Sequence, residues 1–331
     1  MHAAARKWIF HLVSLGLAAL LFWLLFRGRD WSALGRTPPK ELAWLGAAAG
    51  LAVVYWGVRI LRWRWIAGLE GQTISLGLAT RSMLAGLAVG LLTPMRGGEV
   101  VRPLFLPPGC RVKLAGWVVI ERVFDLSAVL IFCLLGLPYL WRHGVLQRLG
   151  LPWEVLLAGA GILLCLALLG PALVMLRPRR LWRVLERLLP AKAAQLAQIV
   201  ITGRQLCVFL ASSLLAELLS IVAVYFCLSS FGAISLPLVL ALTPVVMLNN
   251  LLPITPGGLG VREGLAVLMF AQVWQVADPR ERVLAAYLAN TALVLLAPAA
   301  VGAVMAWLSG FRLRGRTASA TAPAAEAVDN K

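Results

Sequence analysis

Apolar runs of about membrane-spanning length recur along the chain, and basic clusters fill the gaps between them. An α-helix rises 1.5 Å per residue, so about 20 apolar residues cross a hydrocarbon core roughly 30 Å thick. The runs are Trp8–Phe26, Glu41–Ile60, Ile74–Leu92, Leu114–Leu137, Trp153–Leu176, Leu206–Phe231, Ile234–Leu252, Glu263–Ala277 and Val283–Leu308. In lipid every backbone N–H and C=O needs a partner within the protein, which leaves the helix as the element for such runs. The expected fold is therefore all-α: a polytopic membrane protein with eight or nine apolar segments. Composition agrees. Of 331 residues 61% are hydrophobic and 14% charged, against about 25% charged in soluble domains. An ordinary soluble enzyme, a disordered chain and a disulfide scaffold are excluded.

The first run is too long for a signal-peptide core and is followed by Arg27-Gly28-Arg29-Asp30 rather than small residues, so it reads as a retained helix. The second ends in Leu61-Arg62-Trp63-Arg64-Trp65, an alternation that suits a headgroup interface. The formal net charge is +17. The basic residues sit beside apolar runs, which points to anionic headgroups and not to nucleic acid. The densest basic segment, Arg177 to Arg204, is expected in the cytoplasm. Four passes from there return the C-terminus to the cytoplasm, where Arg312, Arg314 and Arg316 agree. No Cys-x-x-Cys pair exists and only three histidines occur, so no metal site or cofactor is expected. The expected organisation is one membrane domain over 1–316, with pseudo-repeats over 41–152 and 206–310, a basic amphipathic segment over 177–205 and a disordered tail over 317–331.

The repeat rests on two elements. Thr93-Pro94-Met95-Arg96-Gly97-Gly98-Glu99-Val100-Val101-Arg102 and Thr255-Pro256-Gly257-Gly258-Leu259-Gly260-Val261-Arg262-Glu263 share Thr-Pro and Gly-Gly-x-x-Val-Arg. Each follows a leucine-rich run, and Gly97 and Gly257 are 160 residues apart. Pro and Gly-Gly weaken a helix, and the freed backbone survives in lipid only where protein or a wet cavity satisfies it. Paired interruptions at matching places in two halves point to a substrate site between them. A helix restarting after Gly-Gly offers bare N–H groups to an anion, and Arg102 and Arg262 add phosphate donors. The competing reading is a pair of interfacial loops whose arginines snorkel to headgroups.

Charge also lies inside the runs. Glu121, Arg122 and Asp125 share roughly one side of the fourth helix. A charge at a helix centre costs about 2.5–3.5 kcal/mol on the insertion scale, so these groups are expected to face protein or water. Glu217 stands alone in mid-run, where it suits a cationic headgroup, a proton or a neighbouring hydroxyl. Arg81 and Asn249-Asn250 are weaker candidates of the same kind.

These elements carry a resemblance. Pro94…Gly98-Glu99…Arg102, Glu121-Arg122-Val123-Phe124-Asp125 and Pro253…Gly257-Gly258-Leu259-Gly260-Val261-Arg262-Glu263 stand in the order seen in the lysylphosphatidylglycerol synthase transmembrane region, or flippase-like domain family. The resemblance runs from Trp8 to Leu308. It implies a bacterial or archaeal inner-membrane protein associated with flipping or supplying lipids, including aminoacylated phosphatidylglycerol, polyprenyl-linked sugars and hopanoids. Members that make lysyl-lipid carry a long soluble aminoacyl-transferase domain, for which the 23 residues after Leu308 leave no room.

The expected function is lipid transport across the inner membrane, with no catalysis. The substrate-binding set is Gly97, Gly98, Glu99, Arg102, Glu121, Arg122, Asp125, Glu217, Gly257, Gly258, Arg262 and Glu263. The expected partner is a lipid with an anionic or zwitterionic headgroup. The alternative is a non-transporting membrane subunit for a lipid-modifying enzyme or glycosyltransferase, docked through the basic segment. An acid–base enzyme at Glu121 and Asp125 lacks any accompanying nucleophile or metal set.

Overall fold

The computed structural model describes residues 38–91, 93–106, 111–148, 150, 153–176, 195–248 and 258–308, with the side chains of 94–96 and 153–158 excepted. The first apolar run, most of the basic segment, Asn249-Asn250, Pro253 to Gly257 and the tail lie outside the described residues.

Every regular element among the described residues is helical. In chain order these are α1 (Leu42–Leu69), α2 (Leu76–Leu91), the 3₁₀ helix η1 (Pro94–Phe105), α3 (Arg111–Arg142), α4 (Val145–Arg148), α5 (Trp153–Leu176) and α6 (Gly203–Ser229). Then follow α7 (Leu236–Met247), α8 (Val261–Phe270), α9 (Pro279–Thr291), a π-helical turn (Ala292–Leu296) and α10 (Ala297–Leu308). Among the described residues four stretches are long and apolar enough to cross a membrane: Leu42–Leu69, Gly159–Leu176, Gly203–Ser229 and Pro279–Leu308. At 32 residues α3 is also long enough, but it carries Glu121, Arg122 and Asp125. Apolar side chains cover the outside, among them Val53, Leu135, Ile162, Leu168 and Trp307. Arginines and carboxylates lie within. That inversion is what a lipid solvent demands.

Two ends of the bundle are fixed by local contacts. At one, Trp117 of α3 donates to Glu70 (2.9 Å) and Lys113 pairs with Glu70 (3.3 Å). At the other, the Lys40 amide donates to Ser230 O at 2.7 Å, joining the start of α1 to the end of α6. α1 therefore runs from the Lys40 side to the Glu70 side, and α3 and α6 run back.

Neither short pair crosses. η1 folds back along α2: Ser82 donates to Arg102 O (2.8 Å), and a Cβ on Gly98 would lie 2.6 Å from Val89 O. The 16 residues of α2 and the 12 of η1 each span about 24 Å, given their rises of 1.5 and 2.0 Å. The two arms match, and both fall short of the hydrocarbon core. This hairpin enters and leaves on the Glu70 side. α7 starts at the opposite side, where Ser235 is 3.5 Å from Tyr139 of α3. α8 returns there, and Trp274 beyond it donates to Ala233 O at 2.8 Å. So a second hairpin dips in from the Lys40 side. The order long helix, hairpin, long helix occurs over 42–142 and again, in the opposite sense, over 203–308.

The packing follows the same exchange. α1 lies against α6, α2 against α10, and α7 against α3. Both hairpin contacts use a glycine. A Cβ on Gly302 would fall on the Leu84 carbonyl oxygen, and one on Gly136 would lie 2.8 Å from Ala241 Cα. The expected four passes after the basic segment are thus two crossings and one hairpin. The parity is unchanged: α6 begins and α10 ends on the same side.

The π-helical turn has a local cause. Pro298 has no N–H to give the Val294 carbonyl four residues earlier. Trp56 of α1 supplies the missing donor, its indole N–H reaching Val294 O at 2.9 Å. Trp56→Phe should keep the packing and lose that bond, lowering stability by about 1–3 kcal/mol as a buried carbonyl goes unpaired. Thermal unfolding in detergent measures it, and an unchanged midpoint contradicts this account of the turn.

Candidate functional site

The charges cluster where α1, η1, α3 and α6 meet. α1 brings Arg59 and Arg62, one turn apart and both buried. α3 brings Glu121, Arg122 and Asp125. η1 brings Glu99 and Arg102, and α6 brings Ser213. Glu121 is the hub. Its Oε1 accepts from Arg62 (2.5 Å) and lies 3.5 Å from Arg59, and its Oε2 accepts from Arg102 (2.9 Å). Asp125 pairs with Arg59 (3.2 Å) and Arg62 (2.9 Å). Ser213 accepts from Arg62 (2.8 Å) and donates to Asp125 (2.7 Å), which ties α6 to the cluster. Glu99 accepts from both Arg102 and Arg122. Tyr55 accepts from Arg59 at 2.6 Å.

Burial separates the roles. Arg102 and Glu121 are 0% exposed. The Arg122 side chain is 32% exposed. It is the cation of this cluster that an outside anion can touch, held at the rim by Glu99 and by Asp125 at 3.6 Å. Four guanidiniums face three carboxylates, so the paired set carries one positive charge in excess. Glu217 lies one turn beyond Ser213 on the same face of α6. It is half-buried, within electrostatic range of Asp125, Arg59, Arg122 and Arg62, and has no hydrogen bond or ion pair among the described residues.

The second interruption builds a smaller site. Gly260 sits at φ +84° and starts α8. Its N–H donates to Glu263 Oε2 (2.7 Å). Glu263 Oε1 accepts from Thr291 (2.5 Å) and lies 3.3 Å from Arg262, which also donates to Thr291. Glu263 is buried, while the Arg262 side chain is 16% exposed.

Of the twelve residues expected from sequence, Glu99, Arg102, Glu121, Arg122 and Asp125 come together in the cluster, with Glu217 beside it and Gly98 packed against Val89 of α2. Gly97 is exposed at the hairpin tip. Arg262 and Glu263 form the second site, Gly258 lies just ahead of α8, and Gly257 lies outside the described residues. The Gly98 N–H already donates to Thr93 Oγ1 (2.7 Å), so this helix start keeps one of its donors within the chain. Arg81 is exposed. One expectation is corrected. Arg62 and Trp63 do not sit at the headgroup interface: Arg62 is 4% exposed and Trp63 0%, with its indole N–H on Ser82 (3.2 Å). Buried carboxylates on α3 and a hydroxyl on α2 attract these groups more strongly than the interface does. Arg59, Arg62 and Ser213 are the members that sequence reading missed. The available signal was the i, i+3 arginine pair, which places two charges on one helix face.

Opposed hairpins around an enclosed ion cluster define a polytopic membrane protein with a polar interior. A family model, the lysylphosphatidylglycerol synthase TM region, matches residues 11–302. The chain belongs to this family. No curated protein matches it.

Proposed function

We propose that the chain carries lipids across the bacterial inner membrane, headgroup inside the protein and tails in the bilayer. The carrying observation is the buried ion cluster beside a hairpin that stops short of crossing. Charges in lipid are retained where they serve a polar path, and paired broken segments mark the substrate site in transporters built from two halves. Arg122 and Arg262, the partly exposed cations of the two sites, contact the lipid phosphate. Glu99 and Glu263 orient them. Arg102 lies beneath and positions Glu99 and Glu121, and Gly98 lets η1 lie close on α2. Gly97 and Gly258 lie at the hairpin ends along which the headgroup passes. The Glu70 side, where α6 begins and α10 ends, faces the cytoplasm. The chain performs no covalent step.

Arg122→Gln should slow lipid translocation at least tenfold while leaving detergent stability close to wild type, because the group is at the rim. Translocation of fluorescent phospholipid in proteoliposomes, beside thermal unfolding of the same preparation, measures both. Native translocation by a folded Arg122→Gln protein removes the assignment of the phosphate contact.

A further inference from the structure

We infer that Glu217 is a proton site linked to the anion site: the chain binds one monoanionic phosphodiester together with one proton. This rests on the lipid-transport reading and adds its coupling ion.

The argument is one of charge and position. Glu217 is the fifteenth residue of the 27 in α6, so it lies about 21 Å along that helix, near the middle. It is a half-buried carboxylate at membrane depth, without a hydrogen-bond or ion-pair partner among the described residues. A lone charge there is costly and neutralises most simply by taking a proton. Its neighbours are known from each element packed against α6. α1 presents Tyr55, Arg59 and Arg62, and α3 presents Glu121, Arg122 and Asp125, with Glu99 and Arg102 of η1 behind them. α7 carries no titratable side chain. α9 offers Tyr287, with Arg280, Glu281 and Arg282 out at its Lys40-side end. The nearby arginines oppose any added cation, a proton included. A proton is the smallest of them and needs no ligand beyond the carboxylate, whereas a metal ion or an ammonium needs further oxygen partners that the arginine array does not offer.

The count then fixes the linkage. With Glu217 ionised, four guanidiniums meet four carboxylates and the set is neutral. With Glu217 protonated, the set carries one positive charge, and Arg122 offers it at the rim. A phosphodiester restores neutrality. Each ligand favours the other, and the coupling is reciprocal by thermodynamic necessity. The pair moves without net charge, so a pH difference drives it and membrane potential does not.

The test uses the full chain in detergent with short-chain phosphatidylglycerol as probe. Calorimetric titration in buffers of different ionisation enthalpy counts the protons taken up on binding. Wild type should take up about one proton per lipid on the alkaline side, with affinity falling by up to about tenfold per pH unit as pH rises. Glu217→Gln, which fixes the protonated charge, should bind with no proton uptake and no such slope. Glu217→Asp should restore both. Dimethyl phosphate, the same anion without tails, separates the sources: proton-linked binding of the lipid alone assigns a lipid headgroup, and equal binding of both assigns soluble phosphodiesters. Absence of proton uptake by wild type at every pH, or a wild-type slope in Glu217→Gln, overturns the inference. Vesicle translocation is scored separately. Translocation without proton uptake removes only this inference, and proton-linked binding without translocation removes only the transport reading.

Discussion

Glu121→Gln is expected to destabilise the folded chain by about 3–5 kcal/mol, the range for removing one partner of a buried ion pair. The side chain keeps its size and loses its charge. Arg62 at 2.5 Å, Arg102 at 2.9 Å and Arg59 at 3.5 Å then share one counter-charge fewer, and Arg102 has Glu99 as its remaining carboxylate. Arg102 and Glu121 are fully buried, so bulk solvent does not reach them to compensate. The loss also loosens three elements at once, because Glu121 joins α3 to α1 and to η1. Chemical or thermal unfolding in detergent, followed by tryptophan fluorescence, reads the effect. A change below about 1 kcal/mol, as for an exposed pair, contradicts the cluster as described.

Gly302→Ala and Gly57→Ala should move stability in opposite directions. At Gly302 the new methyl group meets the Leu84 carbonyl oxygen, and the Ala85 nitrogen is 2.9 Å away. Backbone cannot yield as a side-chain tip does, so α10 must move off α2. Overpacking of this kind costs about 1–3 kcal/mol or more. At Gly57, inside α1, nothing lies within 4 Å of the new atom. There alanine's better helix propensity favours the fold by up to about 1 kcal/mol. Paired unfolding curves decide it. Equal shifts for both variants contradict the close α2–α10 contact.

Much of the fold is written in local sequence. Run lengths mark the helices, Thr93-Pro94 and Gly97-Gly98 mark a break, and Glu121 with Asp125 mark a helix that must face inward. What a run cannot say is whether it crosses. The 19-residue run Ile74–Leu92 suits a span, and the reversal of η1 onto α2 depends on fits such as Gly98 against Val89. Nor does spacing say which charges meet. Arg62 finds Glu121 across 59 residues and Ser213 across 151. Locally, Arg62-Trp63-Arg64-Trp65 looks like a headgroup anchor, but Arg62 turns in while Arg64 is exposed and donates to Ile74 O (3.1 Å). A tertiary partner overrode a local preference, as it does at polar sites in membranes.

Lipid movement by the purified chain tests the central claim most directly. The protein is reconstituted into vesicles with fluorescent phospholipid in both leaflets, and a membrane-impermeant reductant bleaches the outer one. Bleaching beyond the outer-leaflet fraction, absent from protein-free vesicles and reduced in Arg122→Gln, is the predicted result. Bleaching that stops at the outer-leaflet fraction for anionic and zwitterionic lipids alike, with folded protein present, contradicts lipid transport.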